Sequence, residues 1–290
     1  MKTQLMKLTM VALTGLAFLT PSAKATVYFS GNTTYGGDLV LGFQATGGTS
    51  ATSDYIVDLG SWTQFASGGA YATTGTTILN VTVPGLAADL SATFGSDWYS
   101  NTTTGLEFGI AGVQGSTLTG NASANTLFIS RAETSNGNQT LAPLRNTNSQ
   151  QATVVGPIST MAGVLNTGTN SSNNPSAQVQ SSASTNSWDS YMGTNAFNYG
   201  NFGSIEAVIS STSSNVIDLY ELVPQAGGTH TGGTFLGAFQ LSSNGTLMFS
   251  SNANNFSSVP EPSTYALFGG GLIALVLLRR AYRKKDQVTA

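Results

Sequence analysis

Alternating apolar and polar residues dominate the central part of the chain, residues 26–258. In "GDLVLGFQATGG", Leu39, Leu41 and Phe43 occupy every second position, the period of a half-buried β-strand. Glycine, asparagine and proline separate many such segments. The same pattern recurs in "DYIVDLGSW", "TTILNVTV", "GLEFGIAGV", "NTLFISRAE", "SIEAVIS", "NVIDLYELV", "TFLGAFQLS" and "GTLMFSS". The pattern predicts a mainly β body, either an antiparallel β-sandwich or a barrel-like sheet.

One segment has helical spacing instead. Leu86, Leu90 and Phe94 lie four residues apart after a Pro-Gly pair, and Gly95 follows at a position suited to the end of a helix. The spacing predicts a short helix here.

The stretch 146–186 is rich in asparagine, serine and threonine. We interpret it as a long polar loop or insertion within the body. A second short helix is expected inside it, beginning at Pro175 with Asn174 as its N-cap.

The N-terminal residues 1–25 have the three regions of a secretory signal. "MKTQLMK" supplies positive charge, "LTMVALTGLAFL" supplies an apolar core, and Ala23 and Ala25 form a cleavage site before Thr26. The pattern predicts a cleavable signal helix that is handled by the secretion translocon and signal peptidase. A short N-terminal anchor or a buried helix is the alternative.

The C-terminal segment contains an apolar run from Tyr265 to Leu278, fourteen residues long. A helix of that length spans about 21 Å, whereas the hydrocarbon core of a bilayer is about 30 Å thick. With its polar flanks the run predicts a single, marginal transmembrane helix over about 263–282. A basic cluster follows at Arg279, Arg280, Arg283, Lys284 and Lys285. By the positive-inside rule this cluster stays in the cytoplasm, which places the body outside the membrane.

Residues 259–290 resemble the PEP-CTERM sorting domain of Gram-negative bacteria. The resemblance rests on Val259, Pro260, Glu261 and Pro262, the glycine-bearing apolar run and the Arg-Arg pair that follows it. It implies cleavage near Pro-Glu-Pro by an exosortase, a membrane-embedded cysteine transpeptidase. The inner membrane would then hold the protein only transiently before its release to the cell surface or medium. A simple membrane anchor after a proline-rich linker is the alternative.

The body, through strings such as "YGGDLVLGFQATGG" and "TLFISRAE", resembles a group of uncharacterised exported β-rich proteins. That likeness implies no activity.

The composition is that of an exported protein. Only 8% of residues are charged, against about 25% in ordinary globular proteins. The chain has no cysteine, which excludes a disulfide framework, thiol catalysis and cysteine-ligated zinc. Residues 26–258 carry two basic and eleven acidic residues, so nucleic acid is not expected as a partner.

Candidate catalytic chemistry is sparse. His230 is the only histidine and lies in the glycine-rich stretch "GGTHTGG", so neither a Ser-His-Asp site nor a histidine metal site is expected. The acids leave a glycosidase-type carboxyl pair open, for example Asp54 with Asp58 on one side of a strand. Acids at strand ends are more often solvated or capping groups. We expect no cofactor and no bound metal.

Trp62, Trp98 and Trp188 lie near glycine, serine and asparagine turns and are candidate glycan contacts. The interpretation we prefer is that they fill the ends of the core. Together these observations favour a non-enzymatic cell-surface or extracellular-matrix protein associated with exopolysaccharide or biofilm. A carbohydrate-binding module is the alternative, followed by a secreted glycoside hydrolase or lyase.

Overall fold

The computed structural model describes residues 37–72, 74–115, 123–167, 171, 173–192, 205–209, 215–227 and 230–257. The predicted signal peptide with Ala23 and Ala25 lies outside these ranges. The Pro-Glu-Pro motif, the span at 263–282 and the basic cluster also lie outside them. Within the described ranges, no helix has the length and apolarity needed to cross a membrane.

The described strands form one antiparallel sheet of ten strands. They are β1 (Asp38–Ala45), β2 (Ser53–Ser61), β3 (Leu79–Val81), β4 (Leu106–Gln114), β5 (Thr126–Ala132), β6 (Ala177–Ser181), β7 (Glu206–Val208), β8 (Val216–Leu222), β9 (Thr234–Leu241) and β10 (Leu247–Ser250). Their order across the sheet is β3-β10-β9-β8-β5-β4-β1-β2-β6, and β7 pairs with β4 beside β5.

The predicted mainly β, antiparallel body is confirmed, and the sheet curls into a half-barrel. In the described part of the chain, no second sheet packs on either face, as it would in a β-sandwich. Helices and loops cover them instead, so each face has its own apolar core.

The first helix, α1 (Leu86–Phe94), confirms the helix predicted from the four-residue spacing. Leu86, Leu90 and Phe94 are buried and pack with Leu39, Leu41, Phe43 and other strand residues on one side of the sheet, the α1 face. Gly95 ends the helix with a φ of 101°, a conformation that glycine adopts readily.

The prediction of a long polar loop at 146–186 is wrong. The structure has instead a helix of 20 residues, α2 (Asn148–Thr167), followed by β6. Thr147 and Gln150 form a capping box: the Thr147 N–H donates to Gln150 Oε1 (3.1 Å), and the Gln150 N–H donates to Thr147 Oγ1 (3.4 Å). Helix formation is favoured because one side of α2 buries apolar residues against the sheet. These are Val155, Ile158, Met161, Ala162 and Leu165.

The prediction of a helix that begins at Pro175 is also wrong. Asn174 Oδ1 accepts the N–H of Ser176 at 2.9 Å, and the Asn174 carbonyl accepts the N–H of Ala177 at 3.2 Å. Both bonds close a turn, and the chain enters β6 at Ala177. Asn174 therefore initiates a turn before a strand.

The opposite side of the sheet, the α2 face, is covered by α2 and by α3 (Trp188–Met192). All eight residues of β1 are buried, because Val40 belongs to the α2-face core while its neighbours Leu39 and Leu41 belong to the α1-face core. The Trp188 indole packs directly on the backbone of Gly42, where an added Cβ would lie 1.9 Å from Trp188 Cδ2.

Candidate functional site

Two buried carboxyl groups meet where β5 and β8 pair. Glu133 directly follows β5, and Asp218 lies within β8. Their exposed fractions are 5% and 0%, and their carboxyl groups hydrogen-bond to each other. We call these two residues the acid pair.

The acid pair is held from outside by donors of the segment that follows β5. The N–H and Oγ1 of Thr140 donate to Asp218 Oδ2 at 2.6 and 2.9 Å. The N–H of Asn138 donates to Glu133 Oε2 at 3.2 Å. Glu133 Oε1 and Asp218 Oδ1 have no donor among the described residues. A proton on one carboxyl group lets it donate to the other, which two ionised carboxylates cannot do.

The environment of the acid pair favours that proton. Burial, with the neighbouring charge of Asp218, raises the pKa of Glu133 to about 8. Burial also raises the pKa of Asp218, although Thr140 donors oppose the shift. Glu133 therefore keeps its proton near neutral pH.

The contact between the two carboxyl groups limits what they can do chemically. Glycosidases hold their two acids about 5–9.5 Å apart, so that a sugar or a water fits between them. Here the carboxyl groups touch each other and are buried, so the acid pair lacks that geometry. It also bonds to residues of its own chain, namely Gly137, Asn138, Thr140 and Tyr220.

The turn of residues 133–138, in which Asn138 bonds to Glu133, packs against Ser257, the last described residue. Gly137, with a φ of 75°, packs so closely on Ser257 that an added Cβ would lie 2.4 Å from the Ser257 nitrogen. Ser257 is exposed, whereas Phe256 before it is 3% exposed. The body thus ends beside the turn of residues 133–138.

The final segment of the body, Asn252–Ser257, is firmly attached; we call it the C-terminal turn. Phe256 and Ala253 pack with Val216 and Ala238 in a small separate core. Asn255 Nδ2 donates to the carbonyl of Gly75 at 3.1 Å and to Ser250 Oγ at 2.7 Å. Val259, the first residue of the predicted sorting motif, is only two residues beyond Ser257.

A second group of acids lies under α3. Glu206, at the start of β7, accepts the Trp188 indole N–H at 2.7 Å and the Gln44 amide, and burial raises its pKa well above the usual range. Asp54 Oδ2 accepts the Asp189 N–H at 2.8 Å, and burial raises the pKa of Asp54 to about 6. These acids attach α3 to the sheet.

The three candidate glycan-contacting tryptophans are buried, with exposed fractions of 7% for Trp62, 4% for Trp98 and 0% for Trp188. Trp62 stacks on Phe128 with ring centroids 4.8 Å apart. Stacking on a sugar requires an accessible ring face, so these positions favour the packing interpretation and argue against the glycan-contact assignment.

His230 makes one described side-chain contact, between its Nδ1 and the Arg145 carbonyl oxygen at 2.6 Å. Asp54 and Asp58 serve separate local roles, since Asp58 Oδ1 accepts the N–H of Gly60 at 2.7 Å while Asp54 bonds to α3. Among the described residues, no group of three or more His, Cys, Asp or Glu could hold a metal ion.

The candidate pairs considered from sequence did not include Glu133 with Asp218. A weak signal exists, because Asp218 lies between Ile217 and Leu219, and Glu206 lies between Ile205 and Ala207. An acid inside an apolar strand must find a partner or a proton. Which acid it meets depends on strand order.

The body and the residues beyond it define a protein whose folded domain passes, without a long linker, into a terminal segment of different composition. That segment matches the model of the PEP-CTERM protein-sorting motif over residues 258–283. The chain therefore carries a PEP-CTERM sorting signal, which implies export, sorting to the cell surface and processing by an exosortase. No curated protein and no solved structure shows significant similarity to the chain.

Proposed function

We propose that the mature body is a non-enzymatic cell-surface or extracellular-matrix protein, displayed after exosortase cleavage and associated with exopolysaccharide. The observation that carries this proposal is that the acid pair is bonded within the body's own fold. Glu133 and Asp218 are buried and bonded to each other and to their own loop. They support the path of the chain next to the sorting signal.

The surface chemistry supports a polysaccharide partner. With 8% charged residues, the protein offers mainly hydroxyl and amide groups, which donate and accept hydrogen bonds as sugar hydroxyls do. Eleven acids against two arginines in residues 26–258 disfavour a strongly anionic polymer. A neutral exopolysaccharide therefore fits better than a uronic-acid polymer.

Co-sedimentation tests this function. Mature protein released by its own cells is mixed with neutral or anionic exopolysaccharide, and the bound fraction is measured at two salt concentrations. We expect association with the neutral polymer that changes little with salt, since charge contributes little. Absence of association with any polymer would contradict the partner assignment.

The same mixtures test the absence of catalysis. Reducing ends and absorbance from unsaturated sugars are followed over time, with the Glu133→Gln variant in parallel. We expect neither signal to rise. A rise that the variant abolishes would show that the protein is a hydrolase or lyase. Binding of short, defined oligosaccharides without turnover would support the carbohydrate-binding alternative, through polar contacts rather than tryptophan stacking, whereas association with the intact polymer alone supports the proposed function.

A further inference from the structure

The body and the sorting motif are separated by almost no chain. The C-terminal turn is attached through Phe256, which is 3% exposed, and through the Asn255 hydrogen bonds to Gly75 and Ser250. Pro260 is three residues beyond Ser257. Three extended residues span at most about 10 Å.

This distance is shorter than the radius of the folded body. A folded unit of this length has a radius of gyration of about 17 Å. An enzyme that holds Pro260–Pro262 in its active site must therefore touch the body around Ser257 as long as the C-terminal turn stays folded.

The surface at that point suits a close approach. It consists of exposed residues from the three segments that meet at the C-terminal turn: the loop before β3, the turn after β5, and the C-terminal turn itself. These residues are Thr76, Thr77, Thr134, Ser135, Asn254 and Ser257. All six are small or medium-sized and uncharged, and we call them the exit surface.

Two contacts join these segments. Asn255 Nδ2 bonds to the carbonyl oxygens of Gly75 and Thr77, which connects the loop before β3 to the C-terminal turn. Gly137 packs on Ser257, which connects the turn after β5. The acid pair fixes this last turn through the Asn138 N–H. The exit surface is thus part of the folded body.

We propose that the exit surface lies against the sorting transpeptidase while the Pro-Glu-Pro motif occupies its active site. The proposal rests on exosortase-dependent sorting and is independent of the polysaccharide partner. The body then acts as a second recognition element beside the motif, and bulk or charge on the exit surface opposes cleavage.

Pulse-chase conversion of the full-length precursor to the mature form tests the proposal in cells that contain the transpeptidase. The variant Thr76→Arg/Ser135→Arg places two long cations on the exit surface. We expect conversion to slow about fivefold or more, the change in rate that corresponds to about 1 kcal/mol of lost contact. The matched control Ala183→Arg/Thr185→Arg alters two exposed, uncharged residues in the turn between β6 and α3, and we expect no change.

A rescue separates lost contact from misfolding. Twelve glycine and serine residues inserted between Ser257 and Ser258 free the motif from the body. With the insertion, we expect the Thr76→Arg/Ser135→Arg variant and the otherwise unaltered protein to be converted at the same rate. Wild-type conversion of that variant without the insertion, or a difference between the two that persists with it, would overturn the proposal.

Photo-crosslinking identifies the contacting molecule. A photoreactive residue at position 135 is expected to give an adduct with the transpeptidase, whereas the same residue at position 185 gives none. An adduct with phospholipid alone would overturn the proposal and assign the exit surface to the membrane. If the unaltered precursor is not cleaved at all, the sorting step itself fails, which is distinguishable from each of these outcomes.

Discussion

At the residue scale, the acid pair shows how burial changes the chemistry of a carboxyl group. Glu133 and Asp218 hydrogen-bond to each other. Thr140 donates to Asp218 Oδ2, and Asn138 donates to Glu133 Oε2. Because Glu133 keeps a proton near neutral pH, the turn after β5 is bonded to a protonated carboxyl group.

Glu133→Gln tests the proton on Glu133. The amide can donate to the Asp218 carboxylate as the protonated acid does, but it does not titrate. We expect a higher Tm than wild type at pH 8.5, where the wild-type carboxyl has begun to ionise, and little change at pH 5. Thermal scans at the two pH values measure the effect, with the exposed Asp97→Asn as control for loss of one surface charge. A lower Tm of Glu133→Gln at both pH values would contradict the pairing.

Trp188→Phe tests the buried bond to Glu206. The change removes the indole N–H that donates to Glu206 Oε1. We expect a loss of about 1–3 kcal/mol in the free energy of unfolding, the usual cost of leaving a buried polar group without its donor. Urea denaturation measures it. Trp98→Phe makes the same ring change at a residue 4% exposed in the other core and should cost less. Equal losses would show that ring volume alone matters.

The sequence allowed the burial of single residues to be predicted better than their partners. Leu39, Leu41 and Phe43 lie in one core, as their alternation predicts. The pairing of Glu133 with Asp218 could not be predicted, because it follows from the antiparallel register that places Ala132 opposite Ile217. A sequence pattern gives the face of a residue and not the neighbouring strand.

At the scale of elements, α2 is the main difference between expectation and structure. Its apolar residues recur with helical spacing, and Thr147 with Gln150 gives a capping signal. Asn, Ser and Thr, together with Gly156 and Pro157, obscured that pattern and suggested a loop. The apolar face that packs on the sheet outweighs these weak local preferences.

Gly163→Ala tests the helical assignment of α2. Apart from its chain neighbours and the backbone of its own helix, none of the described residues has an atom within 4 Å of an added Cβ at this position. Alanine favours a helix interior over glycine by about 0.5–1 kcal/mol, so we expect the free energy of unfolding to rise by roughly that amount. Urea denaturation checks it, and a loss of stability would contradict a helix at this position.

Gly42→Ala makes the same chemical change where the sheet has no room. The added Cβ would lie 1.9 Å from the Trp188 indole, so α3 must move away from β1. We expect a loss of about 1–3 kcal/mol or more from overpacking, together with a shift in tryptophan fluorescence. Unchanged stability and fluorescence would show that α3 does not dock at this glycine.

At the scale of the whole molecule, the sheet has a core on each face. The alternating pattern correctly predicts antiparallel strands, but it fits a sandwich, a barrel or a single sheet covered by helices equally well. The choice among these three folds depends on α2 and α3, the segments whose structure was predicted least well from the sequence. The completely buried β1 follows from that cover.

Stability should fall as pH rises from 5 to 8. Burial raises the pKa of Asp54 and Asp58 to about 6 and, with the charge of Asp218, that of Glu133 to about 8. A carboxyl whose pKa is higher in the folded state than in the unfolded state binds more protons when folded. Its stabilising contribution is full below the unfolded pKa, near 4, and is lost as pH rises through the folded pKa. A Tm that is constant or rises from pH 5 to pH 8 would contradict this account.

The central claim is that a folded body is delivered outside the cell by a C-terminal signal that is then removed. Mass spectrometry of the C-terminus of the surface protein, in cells with and without the transpeptidase, tests it most directly. With the enzyme, we expect a mature protein that ends near Val259–Pro262 and lacks Arg279–Ala290. Without the enzyme, we expect the tail to remain. Detection of an intact tail through Ala290 on the surface protein of enzyme-containing cells would contradict the account.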